Sequence, residues 1–329
     1  MNAIDRTQRS RPHAPAAEFG LAGPGRRARP RQRVDVSTWT RRARQALAAT
    51  VFALAGAAAS AKPTLDAEVS RLILPLAAGG AISAHWFPRD GAQRQPAIVA
   101  LHGCGGLWRA GQPGAAPRFA SRYVDYVARL RAAGYHVLLP DSFTARGERS
   151  ICSQKNAARR VTVETRRADV AAAVRWLAAH PHVDAARIVV LGWSHGAMTT
   201  LAAINGARPD AARPVAAAVV FYPGCAALLE QDFVLAQPLL MLLGAADDWT
   251  PPMRCEQLVA GVRKLQPQAD ITLRVYADSY HGFDGTGPVR LRPEVPNGLD
   301  PRGAHAGGNP VARAAALAEL DRFLLRTRQ

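Results

Sequence analysis

Short apolar runs alternate with longer amphipathic segments along most of the chain. Short runs rich in Val, Ile and Leu are typical of buried strands, whereas apolar positions three and four residues apart are typical of helices. This pattern predicts strands at 96–103, 135–141, 187–191, 214–223, 237–247 and 271–277. It predicts helices at 118–134, 163–180, 197–203, 254–265 and 310–327.

Strands that alternate with helices predict an α/β fold with a mostly parallel central sheet and helices on both faces. Residues 62–329 contain no internal repeat, and 283–310 is their one long irregular segment, so we expect a single domain. In such a sheet, ligands bind at the carboxyl ends of the strands. Residues that directly follow strands are therefore the first candidates for chemistry.

The N-terminal 61 residues do not continue this pattern. Residues 1–40 are rich in Arg and Pro, and we expect a disordered segment or an extension upstream of the true start. Residues 41–61 contain three arginines, an apolar stretch and a final Ala-Ser-Ala. This order predicts a secretory signal peptide cleaved after Ala61, and a periplasmic or secreted protein. The alternative is an N-terminal membrane anchor or a stray alanine-rich helix.

The charge does not point to a polyanionic partner. The whole chain has a formal net charge of +17, but eleven basic and three acidic residues precede Lys62, so residues 62–329 carry +9. These charges are mostly scattered arginines, whereas a nucleic-acid or membrane-binding surface concentrates them. We therefore expect no nucleic-acid partner and no stable membrane insertion after the signal peptide is removed.

The chain contains four cysteines, Cys104, Cys152, Cys225 and Cys255. No two have the C-x-x-C spacing of a zinc or thioredoxin-like site. An even number in an exported chain favours disulfides. Of the three possible pairings we favour Cys104–Cys152 with Cys225–Cys255, because the members of each pair follow neighbouring strands of the same half. Buried free thiols are the alternative.

The segment GWSHG at 192–196 places Ser194 between two glycines, after an apolar strand and before a helix. Strand, G-x-S-x-G and helix form the context of a nucleophile elbow, a tight turn that lifts a serine above the sheet. The glycines are needed because side chains there would collide with neighbouring elements. The alternative is an ordinary turn between a strand and a helix.

A serine nucleophile needs a base, and the base needs an acid that orients it. His281 follows the last predicted strand, where the order Ser, Asp, His places its base. Asp247 and Asp248 follow the strand before it. We favour Asp247 because it comes first after the strand, and we expect Asp248 to point the other way. The alternative is that both are solvated loop residues.

Acyl transfer also needs backbone donors for the oxyanion. The N–H of His195, directly after the serine, is the first candidate, and we expect the ring of this histidine to point away from the serine. The glycine-rich segment LHGCGG follows the first predicted strand and allows backbone to approach a substrate. We therefore predict that the Cys104 N–H is the second donor.

Five segments, LHGCGG, LPDSFTARG, GWSHGA, LLGAADDWTPP and YHGFD, occur in this order between residues 97 and 323. With these segments the chain resembles the dienelactone hydrolase family of α/β-hydrolases. The resemblance implies an α/β-hydrolase fold, with Ser194 as nucleophile, Asp247 as acid, His281 as base and Cys104 as an oxyanion donor. The name-giving enzymes use a cysteine nucleophile where this chain has Ser194.

Two further residues are candidate substrate-binding residues. Arg146 lies near the place where the family has an arginine for a substrate carboxylate, and a guanidinium holds a carboxylate with two hydrogen bonds. The alternative is a surface arginine. Trp193, next to the serine in the chain, is the second candidate.

We therefore predict a serine hydrolase that cleaves a small-molecule carboxylic ester or lactone through an acyl-enzyme, without a metal or other cofactor. A prolyl-oligopeptidase-like serine peptidase is one alternative, but residues 62–329 leave no room for a propeller domain beside the catalytic one. A non-catalytic binding protein on the same fold is another. The complete set of Ser, Asp, His and oxyanion residues argues against it.

Overall fold

The structure is a computed structural model, which describes residues 69–91, 93–110 and 116–328. The predicted extension at 1–40 and the predicted signal peptide at 41–61 lie outside these residues. In the described part of the chain, no helix is both long enough and apolar enough to cross a membrane.

The centre of the fold is an eight-stranded sheet with the spatial order β1-β2-β4-β3-β5-β6-β7-β8. Strands β1 and β2, and strands β2 and β4, pair antiparallel, and every other neighbouring pair is parallel. The prediction of a mostly parallel sheet is confirmed. In chain order the strands are β1 Ser70–Pro75, β2 Ala81–Phe87, β3 Gln95–Leu101, β4 His136–Asp141, β5 Val183–Trp193, β6 Ala217–Phe221, β7 Leu239–Gly244 and β8 Ile271–Tyr276.

The hairpin formed by β1 and β2 was not predicted. Strand β1 lies at the edge of the sheet and is largely exposed, and Ser, Ala and His interrupt the apolar pattern of β2. The local signal that marks this hairpin is the pair Gly79 and Gly80, which both have positive φ. Two short strands, β9 Arg290–Arg292 and β10 Ala304–Ala306, also pair within the segment predicted to be irregular.

Five helices accompany the sheet in the described residues: α1 Ser121–Ala132, α2 Val163–Ala179, α3 His195–Ile204, α4 Pro252–Leu265 and α5 Pro310–Arg326. Each overlaps a predicted helix. Local chemistry fixes several helix starts, since the side chain of Thr162 caps α2 and that of Asn309 caps α5. Proline occupies the first position of α4 and α5, where its missing N–H is not needed.

Helices cover both faces of the sheet, as predicted. Ile98 and Ala100 of β3 face one side and pack in a cluster with α1 and α5. Val99 and Leu101 face the other side, where α2 packs. Helices α3 and α4 cover the remaining part of that second side. Since alternate residues of a strand point to opposite faces, a strand buried on both sides is apolar along its whole length.

Both disulfides have the pairing that the sequence analysis favoured. Cys104, which follows β3, is bonded to Cys152, in the loop after β4. Cys225, which follows β6, is bonded to Cys255 in α4. In each case the two cysteines come after neighbouring strands, so the alternative of free buried thiols is not found in the described chain.

We predict that both bridges stabilise the protein. They close segments of 48 and 30 residues, for which each bridge contributes ~2–4 kcal/mol to the free energy of unfolding. Protein recovered from an oxidising compartment should show no titratable thiol after denaturation, and reduction should lower its melting temperature. The double variant Cys225→Ala, Cys255→Ala should show part of this decrease in melting temperature without reductant. Four thiols in such material would contradict the prediction.

Candidate active site

Ser194 lies in the turn between β5 and α3 with an unusual backbone conformation. Its φ is 53° and its ψ is −117°, values that cost a non-glycine residue of order 1–3 kcal/mol. The turn is held in this conformation by neighbouring backbone. The Ser194 N–H donates to the carbonyl oxygen of Phe221 at the end of β6, at 2.9 Å. The Ser194 carbonyl accepts from Met198 in α3, also at 2.9 Å.

The two glycines of the motif allow this turn to form for steric reasons. A Cβ atom on Gly196 would lie 2.6 Å from the carbonyl oxygen of His102 and still closer to that of Leu101. A Cβ on Gly192 would lie 2.6 Å from Oγ1 of Thr200 and closer still to backbone of α3. Both positions therefore require glycine, as the sequence analysis expected of a nucleophile elbow.

The three residues predicted to form a triad lie together. His281 Nε2 is 2.9 Å from Ser194 Oγ, and His281 Nδ1 is 2.9 Å from Asp247 Oδ2. Ser194 is 8%, His281 5% and Asp247 3% exposed. The histidine is thus within hydrogen-bond distance of the hydroxyl on one side and of the carboxylate on the other. This is the geometry of a general base held by an acid.

Thr250 supports this arrangement and was not found by sequence reasoning. Its backbone N–H and that of Trp249 donate to Asp247 Oδ1, at 2.8 and 2.9 Å. Its hydroxyl lies 3.0 Å from Asp247 Oδ2 and 3.1 Å from His281 Nδ1. Asp247 is therefore the first residue of a turn whose backbone N–H groups hold its own carboxylate in place. The sequence signal was the short spacing of Asp247 and Thr250, typical of an Asp-led turn.

Asp248 points away from the triad, as expected. Its carboxylate accepts from the His305 backbone N–H at 2.8 Å and lies 2.7 Å from Nδ1 of the same histidine. Its carbonyl accepts from the N–H of Leu299. Asp248 thus anchors the segment after β9. The neighbouring Ala306 forms a backbone bridge with His281, so this segment lies directly beside the candidate base.

Two backbone amides have the properties of oxyanion donors. His195 is the first residue of α3, and Cys104 lies in the loop 102–106 that follows β3. Within the described residues, neither N–H has a hydrogen-bond acceptor. The N-terminus of a helix also carries a partial positive charge. Both amides are thus free to donate to a negatively charged oxygen.

The loop 102–106 is held from several sides. The Gly103 N–H donates to the hydroxyl of Tyr123 at 3.1 Å, and the Cys104 carbonyl accepts from Ile151 at 2.8 Å. His102, which is fully buried, lies 2.8 Å from the Gly103 carbonyl through Nδ1 and accepts from Ser142 through Nε2. Together with the Cys104 disulfide, these bonds fix the position of the free amide.

Two buried histidines next to the site are neutral. Burial and the neighbouring Arg166 lower the pKa of His102 to about 3. Burial and Arg166 also hold the pKa of His195 well below its ordinary value. The His195 Nδ1 accepts a hydrogen bond from Arg166, so its proton lies on Nε2. As predicted, the His195 ring does not bond to the serine.

A cavity of about 740 Å³ opens above the serine. Ser194, His281, the loop 102–106 and residues of the segment 282–308 line it. The described part of the lining includes two aspartates and five arginines, namely Arg109, Arg122, Arg149, Arg292 and Arg313. Its volume fits a small organic ligand.

Arg146, the first candidate substrate-binding residue, forms an ion pair with Asp169 of α2. Its guanidinium donates to both carboxylate oxygens of Asp169, at 2.9 and 2.7 Å, and to the carbonyl of Ser142. It is not among the described residues that line the cavity. The family spacing placed it correctly after β4, but a buried carboxylate of α2 already occupies its donors. The arginines that do line the cavity lie elsewhere along the chain.

Trp193, the second candidate substrate-binding residue, borders the cavity and is packed in the core. It is 1% exposed, and its indole N–H donates to Asp284 at 3.0 Å. The same carboxylate accepts from the Tyr222 hydroxyl at 2.7 Å and forms an ion pair with Arg122 at 3.1 Å. Asp284 therefore connects the loop of His281 to the ends of β5 and β6. Sequence reasoning missed this structural role of Asp284.

A sequence profile of the Dienelactone hydrolase family matches residues 83–302, about two thirds of the chain. The chain belongs to the dienelactone hydrolase family. The match includes all three residues of the candidate triad and both candidate oxyanion donors. A comparison with curated protein sequences found no match.

Solved structures show that this member of the dienelactone hydrolase family has an α/β-hydrolase fold. A putative dienelactone hydrolase from Klebsiella pneumoniae is similar with a TM-score of 0.57 and 18% identity, over 78% of this chain and 98% of that chain. Esterase 2 of Thermogutta terrifontis, phosphorylated by paraoxon, gives 0.54 and 17%, over 82% and 97%. A dienelactone hydrolase-like promiscuous phosphotriesterase from metagenomic libraries gives 0.55 and 14%, over 79% and 99%.

Across residues 69–91, 93–110 and 116–328, no group of three His, Cys, Asp or Glu residues could hold a metal ion.

We predict that Asp247→Asn lowers kcat for an ester by roughly 10⁴-fold, as the corresponding change does in another serine triad. An amide at this position would no longer hold the His281 Nδ1–H toward a charged acceptor. Asp248→Asn is the matched control, because it leaves the triad contacts unchanged and should have a much smaller effect. Steady-state kinetics of both variants test the assignment, and the reverse ranking would overturn it.

We also predict that the protein loses stability in acid through its buried histidines. The folded pKa values of His102 and His195 lie below the ordinary value, so the unfolded chain binds more protons as pH falls below about 6.5. The free energy of unfolding should therefore fall from pH 6.5 toward pH 3. Urea unfolding at pH 7, 6 and 5 measures it. The variant His195→Gln should show a smaller decrease, and an identical one would contradict this origin.

Proposed function

We propose that this protein is an exported serine hydrolase that cleaves a carboxylic ester or lactone through an acyl-enzyme. The observation that carries the proposal is the continuous set of contacts from Ser194 Oγ through His281 to Asp247, at 2.9 Å each. Beside them lie two amides that have no acceptor among the described residues. Membership of the dienelactone hydrolase family supports a hydrolase.

The proposed reaction follows from this geometry. His281 Nε2 accepts the proton of the Ser194 hydroxyl as the oxygen attacks the substrate carbonyl. The carbonyl oxygen becomes negative and accepts hydrogen bonds from the N–H groups of Cys104 and His195. His281 then gives its proton to the leaving alcohol, and an acyl-Ser194 ester remains. Water, deprotonated by the same histidine, attacks this ester and restores the serine.

Asp247 has a separate role in the proposed mechanism. Its carboxylate is buried and accepts hydrogen bonds from the backbone N–H groups of Trp249 and Thr250. It thereby holds the proton of His281 on Nδ1 and stabilises the imidazolium that forms when Ser194 loses its proton. Thr250 restricts the rotation of both groups from one side.

Two features support export. The order of arginines, apolar residues and Ala-Ser-Ala at 41–61 is that of a signal peptide. The structure also contains two disulfides, and disulfides persist in oxidising compartments. A periplasmic or secreted location would also place the cavity in contact with substrates from outside the cell.

The cavity lining indicates a substrate class within the proposed function. Arginines outnumber aspartates in the described lining, so its net charge favours esters that carry an anionic group. Arg109 and Arg149 are exposed and have no ion-pair partner in the described chain, unlike Arg122 and Arg292. We propose that these two arginines attract the anionic group.

We predict that a fluorophosphonate adds one label per chain, and that Ser194→Ala abolishes both the label and ester turnover. The reagent reacts with a deprotonated serine, and esterase 2 of Thermogutta terrifontis, which has the same fold, is phosphorylated by paraoxon. Intact mass measures labelling, and a panel of esters with and without a carboxylate measures turnover and charge preference.

Ser150→Ala is the matched control for this experiment, since Ser150 lines the same cavity outside the triad. This variant should be labelled like the unchanged protein. Labelling that persists in Ser194→Ala would exclude Ser194 as the nucleophile. Absence of hydrolysis over the whole ester panel, with intact labelling, would exclude the proposed substrate class while retaining the nucleophile.

A further inference from the structure

Arg166 is a fully buried arginine behind the candidate site. It lies in the first turns of α2 and has no exposed surface. Its Nη2 donates to the carbonyl oxygen of His102 at 2.8 Å, and its Nη1 donates to Nδ1 of His195 at 2.9 Å. One guanidinium therefore bonds to two segments that are 93 positions apart in the chain.

These two segments are the ones that carry the candidate oxyanion donors. His102 begins the loop 102–106, in which the N–H of Cys104 has no acceptor within the part of the chain that the structure describes. His195 itself supplies the second free N–H. An oxyanion hole requires both N–H donors to lie 2.7–3.1 Å from the same oxygen atom. The distance between the two segments therefore decides whether both N–H groups can donate to that oxygen.

A planar guanidinium is suited to setting such a separation. Its donors form a rigid fork, so two acceptors bound to it are held at a fixed distance and angle. The ring of Phe143 lies against the Arg166 group at 5.3 Å and restricts its rotation. An apolar side chain in the same place would fill the volume, but it would leave the His102 carbonyl and His195 Nδ1 without their donor.

Stability alone does not explain a charge in this position. Burial of an arginine carries a large desolvation cost, and apolar replacements of buried ion pairs are often as stable. The nearby carboxylate of Asp169 is itself bonded twice to Arg146, so it is not a dedicated partner. The Nε of Arg166 has no hydrogen-bond partner in the described chain.

We propose that Arg166 is a positioning residue that sets the distance between the two oxyanion donors, Cys104 N–H and His195 N–H. The inference rests on the proposed function and identifies a residue of that site that does not touch substrate. Protonation states agree with it. Burial lowers the pKa of Arg166 only to about 10, so it stays charged at neutral pH, while the neutral His195 ring keeps Nδ1 as an acceptor.

The test compares Arg166→Met with Arg167→Met in the full-length protein. Arg167 is the next residue of the same helix, is also buried, and forms ion pairs with Glu164 and Asp210 away from the site. Ester kcat should fall by about 10–100-fold in Arg166→Met, less than for complete loss of a donor, with little change in KM. In Arg167→Met kcat should stay within twofold, with a similar change in melting temperature.

A trifluoromethyl ketone provides a readout that general loss of structure would not produce. This inhibitor adds to the serine and places an oxyanion between the two amides. Its inhibition constant should rise by the same factor by which kcat/KM falls in Arg166→Met. Arg166→Lys should recover part of both losses, because an ammonium can still donate to one of the two acceptors.

Several results would overturn the inference. A kcat of Arg166→Met within twofold of the unchanged protein would do so, as would a fall in kcat with unchanged inhibition by the ketone.

If Arg166→Met does not fold, Arg166→Lys and His195→Ala replace it, since His195→Ala removes one acceptor but keeps the N–H. Their effects on the ketone should then be less than additive, and additive effects would reject a shared role. Lack of any ketone-sensitive hydrolysis in the unchanged protein would instead refute the proposed function.

Discussion

The site depends on the close approach of three backbone segments. At Gly196 the start of α3 lies against the carbonyl groups of Leu101 and His102, so closely that no Cβ atom fits between them. At Gly192 the end of β5 is in similarly close contact with α3. This contact forces Ser194 into a strained turn and holds the N-terminus of α3 beside the loop 102–106. The positions of the candidate nucleophile and of both candidate oxyanion donors are consequences of the same packing.

The hydrogen bonds between strands end where the strands end. They therefore cannot hold the loops of the site in position. The loop 102–106 is therefore held by individual groups from different elements. Tyr123 of α1 accepts from Gly103, Ile151 donates to Cys104, and Cys152 bonds to it covalently. Each of these contacts leaves the Cys104 N–H without an acceptor.

The sequence predicted the parts of the site that follow from local pattern and chain order. Ser194 was identified from two glycines between a strand and a helix, and His281 from its place after the last strand. Thr250 and Arg166 were not identified, because their roles depend on contacts between distant segments. A charged residue in an amphipathic helix usually belongs to a solvated face, so Arg166 gave no local signal. Arg146 was assigned to substrate from the position of an arginine in the family, and its ion pair with Asp169, a residue 23 positions away, had no local signal either.

Two buried charged groups lie on either side of the serine turn and have related structural effects. Arg166 connects the loop after β3 to the start of α3, and Asp284 connects the loop of His281 to Trp193 and Tyr222 at the ends of β5 and β6. Apolar packing would stabilise these contacts without fixing their direction, because it is non-directional. Several hydrogen bonds to one charged group fix distance and angle together. Desolvation of these buried charges lowers the free energy of unfolding. Both charges lie next to the candidate active site, where catalysis requires positions accurate to a fraction of an ångström.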